Sequence, residues 1–166
     1  TKYNLFSEED YWKIFTKNPN PSLCSMINRY LSNNYHGARD LDEQFRVTNF
    51  CFKYFPENPD ILNEMAFLYQ NGWGVKTDYK IAEKFYQKSY EMGHSYAAYN
   101  LGIFFETGES GHKIDYDKAL FYYNESVKLD PENMMPYNTL GLMYKNGIGV
   151  KTDIEKAKSY FKKAHE

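Results

Sequence analysis

The chain has 166 residues, the size of one domain. It is 42% hydrophobic and 25% charged, an ordinary balance for a soluble globular protein. Its formal net charge of −2 lacks the basic excess of nucleic-acid-binding domains, so no nucleic-acid partner is expected.

The first expected element starts at Ser7. With "EED" behind it, Ser7 reads as an N-cap with acids in the first turn. That helix, "EEDYWKIFTK", stops at "NPNP" (18–21). The stretches "SLCSMINRYLSNN" (22–34) and "DLDEQFRVTNFCFKYF" (40–55) follow as a helix pair. "PENPD" (56–60) ends the pair, and Pro59 is placed to open the next helix. Residues 1–58 are therefore expected to form an N-terminal helical cap holding one degenerate repeat, which covers the hydrophobic end of an array. Cys24 and Cys51, the two cysteines, sit among apolar residues. They offer no disulfide framework and no metal-ligand spacing; buried small hydrophobes are favoured, with a single bridge left open.

Three segments then line up: 61–94, 97–130 and 136–166. Their first loop glycines, Gly72, Gly108 and Gly147, lie 36 (108 − 72) and 39 (147 − 108) residues apart, a period typical of helix-pair arrays. Leu62, Met65, Ala66 and Tyr69 follow the i, i+3, i+4, i+7 spacing of a helix face. Ala98, Leu101, Gly102 and Phe105 repeat it, as do Tyr137, Leu140, Gly141 and Tyr144. A glycine inside a helix costs about 1 kcal/mol, so Gly102 and Gly141 predict a close approach by another helix. The second halves carry small–large–small rows: Ala82, Tyr86, Ser89; Ala119, Tyr123, Ser126; Ala157, Phe161, Ala164. Such a row lets one helix dock on its partner with an aromatic side chain filling the gap.

These segments resemble the Sel-one-like repeat, a relative of the tetratricopeptide repeat. "EMGHSYAAYNLGIFFETG" (91–108) is close to that family's junction between units. "NGWGVKTDYKIAEKFYQKS" and "NGIGVKTDIEKAKSYFKKA" resemble its loop and second helix, and "KLDPEN" (128–133) resembles the tetratricopeptide junction. The resemblance spans three units, about 59–94, 95–130 and 131–166. It implies an all-α fold: a right-handed α-α superhelix, or solenoid, of antiparallel helix pairs. The middle loop, "TGESGHKIDY", departs from the pattern by one extra residue and by the loss of G-x-G-V-K.

The twice-used "NGxGVKTD" invites comparison with a phosphate loop. A P-loop needs G-x-x-x-x-G-K-[ST] between a strand and a helix; here the order is G-x-G-V-K-T and a helix precedes it. The residues have structural duties instead. Asn71 and Gly72 can end a helix in the left-handed conformation, and Gly74 lets the chain turn back. Thr77 or Asp78, and Thr152 or Asp153, can cap the next helix; "TDIE" (152–155) has capping-box spacing. Val75 and Val150 are expected to tuck between the two helices. The histidines, His36, His94, His112 and His165, are too scattered for a metal site, and His94 reads as a capping or turn residue. No nucleophile motif and no cofactor motif is present, so no catalytic residue, metal or cofactor is expected.

Stacked helix pairs curve, and the first helix of each pair lines the inner wall. By helical phase that wall carries Asn63, Phe67 and Gln70; Tyr96, Tyr99, Ile103 and Glu106; and Met135, Asn138, Leu142 and Lys145. Phe67, Ile103 and Leu142 are divided evenly between groove and core, whereas Tyr99 and Asn138 favour the groove. Asn100 could join a carboxylate clamp of the tetratricopeptide kind, but the basic partners are missing and that ligand is not expected. The leading expectation is a non-catalytic adaptor binding another protein, as a peptide segment or helix, in the groove or across an end face. Alternatives are a ligand-binding or hydrolytic relative of the β-lactam or peptidoglycan type, and an assembly spacer of a larger protein. No apolar run approaches the roughly 20 residues of a membrane span, so no direct membrane insertion is expected. A cytoplasmic chain is favoured, with secretion or a periplasmic site open should a leader have been removed.

Overall fold

The computed structural model describes residues 13, 16–33, 41–108, 111 and 113–165, with backbone alone at 28–33. Among them are eight α-helices and no strand. They are α1 Pro21–Asn33, α2 Leu41–Tyr54, α3 Pro59–Asn71, α4 Tyr79–Glu91, α5 Ser95–Thr107, α6 Tyr116–Leu129, α7 Met134–Asn146 and α8 Ile154–Lys163. Each packs on its chain neighbour, as the expected α-α solenoid of helix pairs requires. Ser7 and most of the helix expected at 8–17 lie outside the described residues, as do His36 and His112; Lys13, Thr16 and Lys17 are helical.

The helix ends follow from short-range chemistry. The first helices α3, α5 and α7 start at the N-caps Asn58, His94 and Asn133, whose side chains accept from the N–H groups of Ile61, Ala97 and Met135. The second helices α4, α6 and α8 start at Asp78, Asp115 and Asp153. A carboxylate there satisfies an orphan N–H and also meets the positive end of the helix dipole. The threonine alternatives, Thr77 and Thr152, are therefore not the caps, and the capping box expected from Thr152 to Glu155 does not form. His94 is a cap, as its position at the junction predicts. Gly72, Gly108 and Gly147 end the first helices with φ of 68°, 74° and 72°. Asn71 and Asn146 stay helical, so the left-handed step falls on glycine alone.

The second loop glycine has a different duty. A methyl group on Gly74 would overlap the Leu41 carbonyl and Phe45, and one on Gly149 would overlap Tyr116. The loop after each of these first helices is thus seated on the opening turn of the preceding pair's second helix. That seat gives the recurring "NGxGVKTD" a structural duty.

The core repeats with the units. Tyr86 and Tyr123 are fully buried. The Tyr123 ring lies where a Gly102 side chain would be, and the Phe161 ring does the same over Gly141. The helical glycines thus mark a close approach, and an aromatic ring from the second helix takes the space. Full burial of such a side chain contributes about 1.5–3 kcal/mol.

The N-terminal pair is built differently. Asn20 accepts from Leu23 N–H at 2.8 Å, so Asn20-Pro21 repeats Asn58-Pro59 with a shift of 38 residues (58 − 20). Under the same shift Thr48 stands where α4 has Tyr86, so no ring comes from that position. Cys24 and Cys51 instead form a disulfide between α1 and α2, with Cα atoms 6.1 Å apart. Both are fully buried, so they are small core residues as favoured, but bridged rather than free.

Candidate functional site: the first-helix wall

The exposed faces of α3, α5 and α7 present twelve candidate residues, and the structure divides them into three groups. None of the twelve is fully buried. In the first group the polar end is already engaged within the chain. Tyr86 donates its hydroxyl to Gln70 Oε1 at 2.8 Å, and Tyr123 donates to Glu106 Oε2 one unit later. Asn100 Nδ2 donates to Asn63 Oδ1 at 3.3 Å, joining α5 to α3. Tyr99 Oη lies 3.2 Å from Thr139 Oγ1, joining α5 to α7. Burial and the Glu106 hydrogen bond both push the Tyr123 phenol pKa well up, so this hydroxyl stays a donor at any physiological pH.

The second group is half-buried and apolar. Phe67 meets Trp73 edge to face with ring centroids 4.8 Å apart. Ile103 packs against the core cluster around Tyr123 and Leu140. Both therefore divide their surface between wall and interior.

The third group is exposed. Tyr96 and Met135 are each 45% exposed and Leu142 is 48% exposed. Asn138 and Lys145 are also exposed. Among the described residues, the side chains of Asn138 and Lys145 have no hydrogen-bond or ion-pair partner. Met135, Asn138, Leu142 and Lys145 share one face of α7, opposite the buried Leu140. Phase along a helix reveals that face from sequence. Thr139 and Trp73, which occupy Tyr99 and Phe67, were missed, because their contacts depend on how the pairs stack.

Two further features border the wall. His94 is mostly buried at the junction of the first two units. Its Nδ1 accepts the Ala97 N–H at 3.2 Å, while Nε2 faces Asp60 Oδ1 at 3.1 Å. The neutral ring with hydrogen on Nε2 satisfies both contacts. Burial lowers its pKa, and the Asp60 charge opposes this only in part. On the other side, an open cleft of about 530 Å³ lies between the middle loop and Gly149, lined in part by Phe105, Lys113, Ile114 and Tyr116. Two polar groups at its edge serve the fold: Asp115 caps α6, and Lys118 stands 4.9 Å above the Phe105 ring. Among the described residues, no group of three or more His, Cys, Asp or Glu side chains is arranged to hold a metal ion. No described helix is long and apolar enough to cross a membrane.

Comparison with known proteins follows the same periodicity. The Sel1 repeat family matches residues 60–94, 95–131 and 138–164, more than half of the chain. The ERAD-associated E3 ubiquitin-protein ligase component HRD3B of Arabidopsis thaliana is 34% identical over 88 residues, covering 52% of this chain and 12% of that protein. The Sel1-repeat-containing protein YjcO of Escherichia coli is 33% identical over 92 residues, covering 54% of this chain and 40% of that protein. The chain thus spans well under half the length of these relatives. A solved Sel1 repeat protein from Oxalobacter formigenes has a TM-score of 0.75 at 25% identity, covering 93% of this chain and 62% of that one. A protective antigen of uropathogenic Escherichia coli, with a TM-score of 0.74 at 24% identity, covers 95% of this chain and 32% of its own and shares the fold. On the three matched units and the stacked helix pairs that they form, the chain belongs to the Sel1 repeat family.

Proposed function

We propose that this chain is a non-catalytic adaptor that holds a segment of another protein along the wall of α3, α5 and α7, and chiefly on α7. Repeats of this family typically serve as protein-interaction scaffolds. The observation that carries the reading is the α7 face: Met135, Asn138, Leu142 and Lys145 are all exposed, and among the described residues the polar members have no partner. The corresponding residues of α3 and α5 are largely occupied by other parts of the chain. In this reading residues 1–58 are an N-terminal helical cap holding one degenerate repeat, to which the α1–α2 pair belongs. The Cys24–Cys51 bridge supports an oxidising compartment over the cytoplasm favoured above. The β-lactam or peptidoglycan reading is weaker, because its relatives carry a cysteine pair across each helix pair and this chain has one pair of cysteines.

Site-specific photo-crosslinking in the full-length protein tests the wall. A photoreactive residue at Leu142 is expected to give a discrete adduct in native cells, and one at the exposed Lys84 of α4 is not. Equal labelling from both positions, or from neither, sinks the wall as the binding surface.

A further inference from the structure

We infer that the segment held on α7 is acidic and apolar: a stretch of protein in which carboxylate side chains flank one or two large hydrophobic residues. The inference rests on the wall reading above and adds the chemistry of its occupant.

Charge is the first argument. From residue 144 onward the chain has six lysines against Asp153, Glu155 and Glu166. Several of the lysines are spoken for within the unit. Lys158 pairs with Glu155 at 2.8 Å. Lys156 stands 4.2 Å over the Tyr144 ring, and Lys163 stands 5.8 Å over the Tyr137 ring. Lys145 and Lys151 are exposed, and they flank the turn that follows α7. No acid of this unit pairs with either of them among the described residues. The register across units sharpens the point. Lys145 occupies the place that Gln70 and Glu106 hold on α3 and α5, where a tyrosine hydroxyl from the second helix binds them. In this unit the second-helix residue is Phe161, which has no hydroxyl, and lysine is not an acceptor. The cation is left facing outward.

Apolar surface is the second argument. Leu142 is 48% exposed, Met135 45% and Met134 58%, on the same helix as Lys145. Asn138 lies between Met135 and Leu142 and can donate to and accept from a backbone. A hydrophobic anchor over Leu142, an amide contact at Asn138 and a carboxylate toward Lys145 or Lys151 fit one segment laid along α7. A basic segment would meet Lys145 and Lys151 with like charge.

Fluorescence anisotropy on the full-length protein tests this with three short synthetic peptides. One carries Leu and Phe among Asp and Glu; the second has Lys in place of every acid; the third keeps the acids but has Ser in place of Leu and Phe. The first is expected to bind, roughly tenfold more tightly than either of the others, and to weaken as salt rises. Lys145→Glu with Lys151→Glu is expected to weaken it several-fold, and Leu142→Ser to do likewise, while Lys84→Glu leaves it unchanged. Circular dichroism and melting of each variant check the fold, and these exposed positions lie outside the core. Equal or tighter binding of the basic peptide, still lost in Leu142→Ser, overturns the acidic occupant and leaves the wall reading standing. Binding of the acidic peptide that ignores both Leu142→Ser and the lysine reversals removes α7 from either reading. Binding of phosphatidylserine vesicles with no binding of the acidic peptide overturns the inference in favour of a membrane surface. So does failure of the first peptide to bind at all.

Discussion

The first and last described helix pairs close the same gap in different ways. In the middle units the last part of the second helix is tied to the start of the first by a hydroxyl. Ser89 donates to the Pro59 carbonyl at 2.7 Å, and Ser126 donates to the Ser95 carbonyl at 2.8 Å. At the N-terminal pair the residue in this register is Cys51, and the tie is covalent, to Cys24. At the C-terminal pair it is Ala164, and there is no polar tie. The aromatic plug varies in parallel: Thr48, then Tyr86 and Tyr123, then Phe161. The lesson is that a pair needs a filled seam, by ring or by bridge. Polar ties beyond that can be dropped, and dropping them in the last unit leaves side chains of α7 uncommitted.

The largest way to break this comparison is at the N-terminal pair. Replacing both cysteines, as Cys24→Ala with Cys51→Ala, is expected to cost roughly 3–4 kcal/mol for a bridge spanning 27 residues. Using Cys51→Ser as the second change should recover about 1 kcal/mol, by giving α2 the hydroxyl tie of the middle units. Urea denaturation followed by hydrogen exchange of α1 and α2 measures both values. Equal stability of the two double variants would show that the register does not carry the tie.

A smaller effect is expected from exchanging the middle and last designs. Tyr123→Phe with Ser126→Ala removes two hydrogen bonds and should cost about 1–3 kcal/mol. The reverse change, Ala164→Ser, should gain about 0.5–1 kcal/mol by reaching the Met134 carbonyl. Chemical denaturation reads both, and a destabilised Ala164→Ser variant would mean that the last pair has no room for the tie.

The smallest effect concerns His94. Its cap requires a bare Nδ1, and burial lowers its pKa from the ordinary value of 6.5. The folded pKa lies below the unfolded one, so the contribution is fully present above about pH 6.5 and is lost as pH falls through the folded value. His94→Asn keeps a capping side chain, as at Asn58 and Asn133, and removes the titration. Melting temperature against pH should therefore fall less steeply on acidification in His94→Asn than in the native chain, and parallel curves would rule out the cap as the source.

Much of the fold was legible because its determinants are local. The period of Gly72, Gly108 and Gly147, the stripes of small residues and the caps all act within a turn or two of helix. The choice between Thr77 and Asp78 was not legible, because both oxygens lie within reach of the next helix and only the chain path separates them. The Cys24–Cys51 bridge depends on how α1 meets α2. The candidate wall was legible as a set of helical phases, and Leu142 and Asn138 stand exposed on it. Which of its residues were already engaged was not, since Asn63–Asn100 and Tyr99–Thr139 are separated by 37 and 40 residues.

The seated loops also have a mechanical consequence. Gly74 keys the first unit onto the N-terminal pair, and Gly149 keys the third onto the second; a methyl group on Gly111 of the middle loop would meet nothing within 4 Å among the described residues. The joint between the first and second units buries Ala82 and Tyr86 with Leu101 and Phe104, and adds side-chain bonds: His94 to Asp60, Asn100 to Asn63, Tyr90 to Glu125 and Tyr122 to Gln87. Two joints of this spine thus carry a glycine seat, and all three carry polar contacts, Gln44 to Glu64 at the first and Tyr99 to Thr139 at the last. Shape is indifferent to proton and salt, whereas His94 is not, and acid takes from the middle joint the cap that its Nδ1 gives to α5.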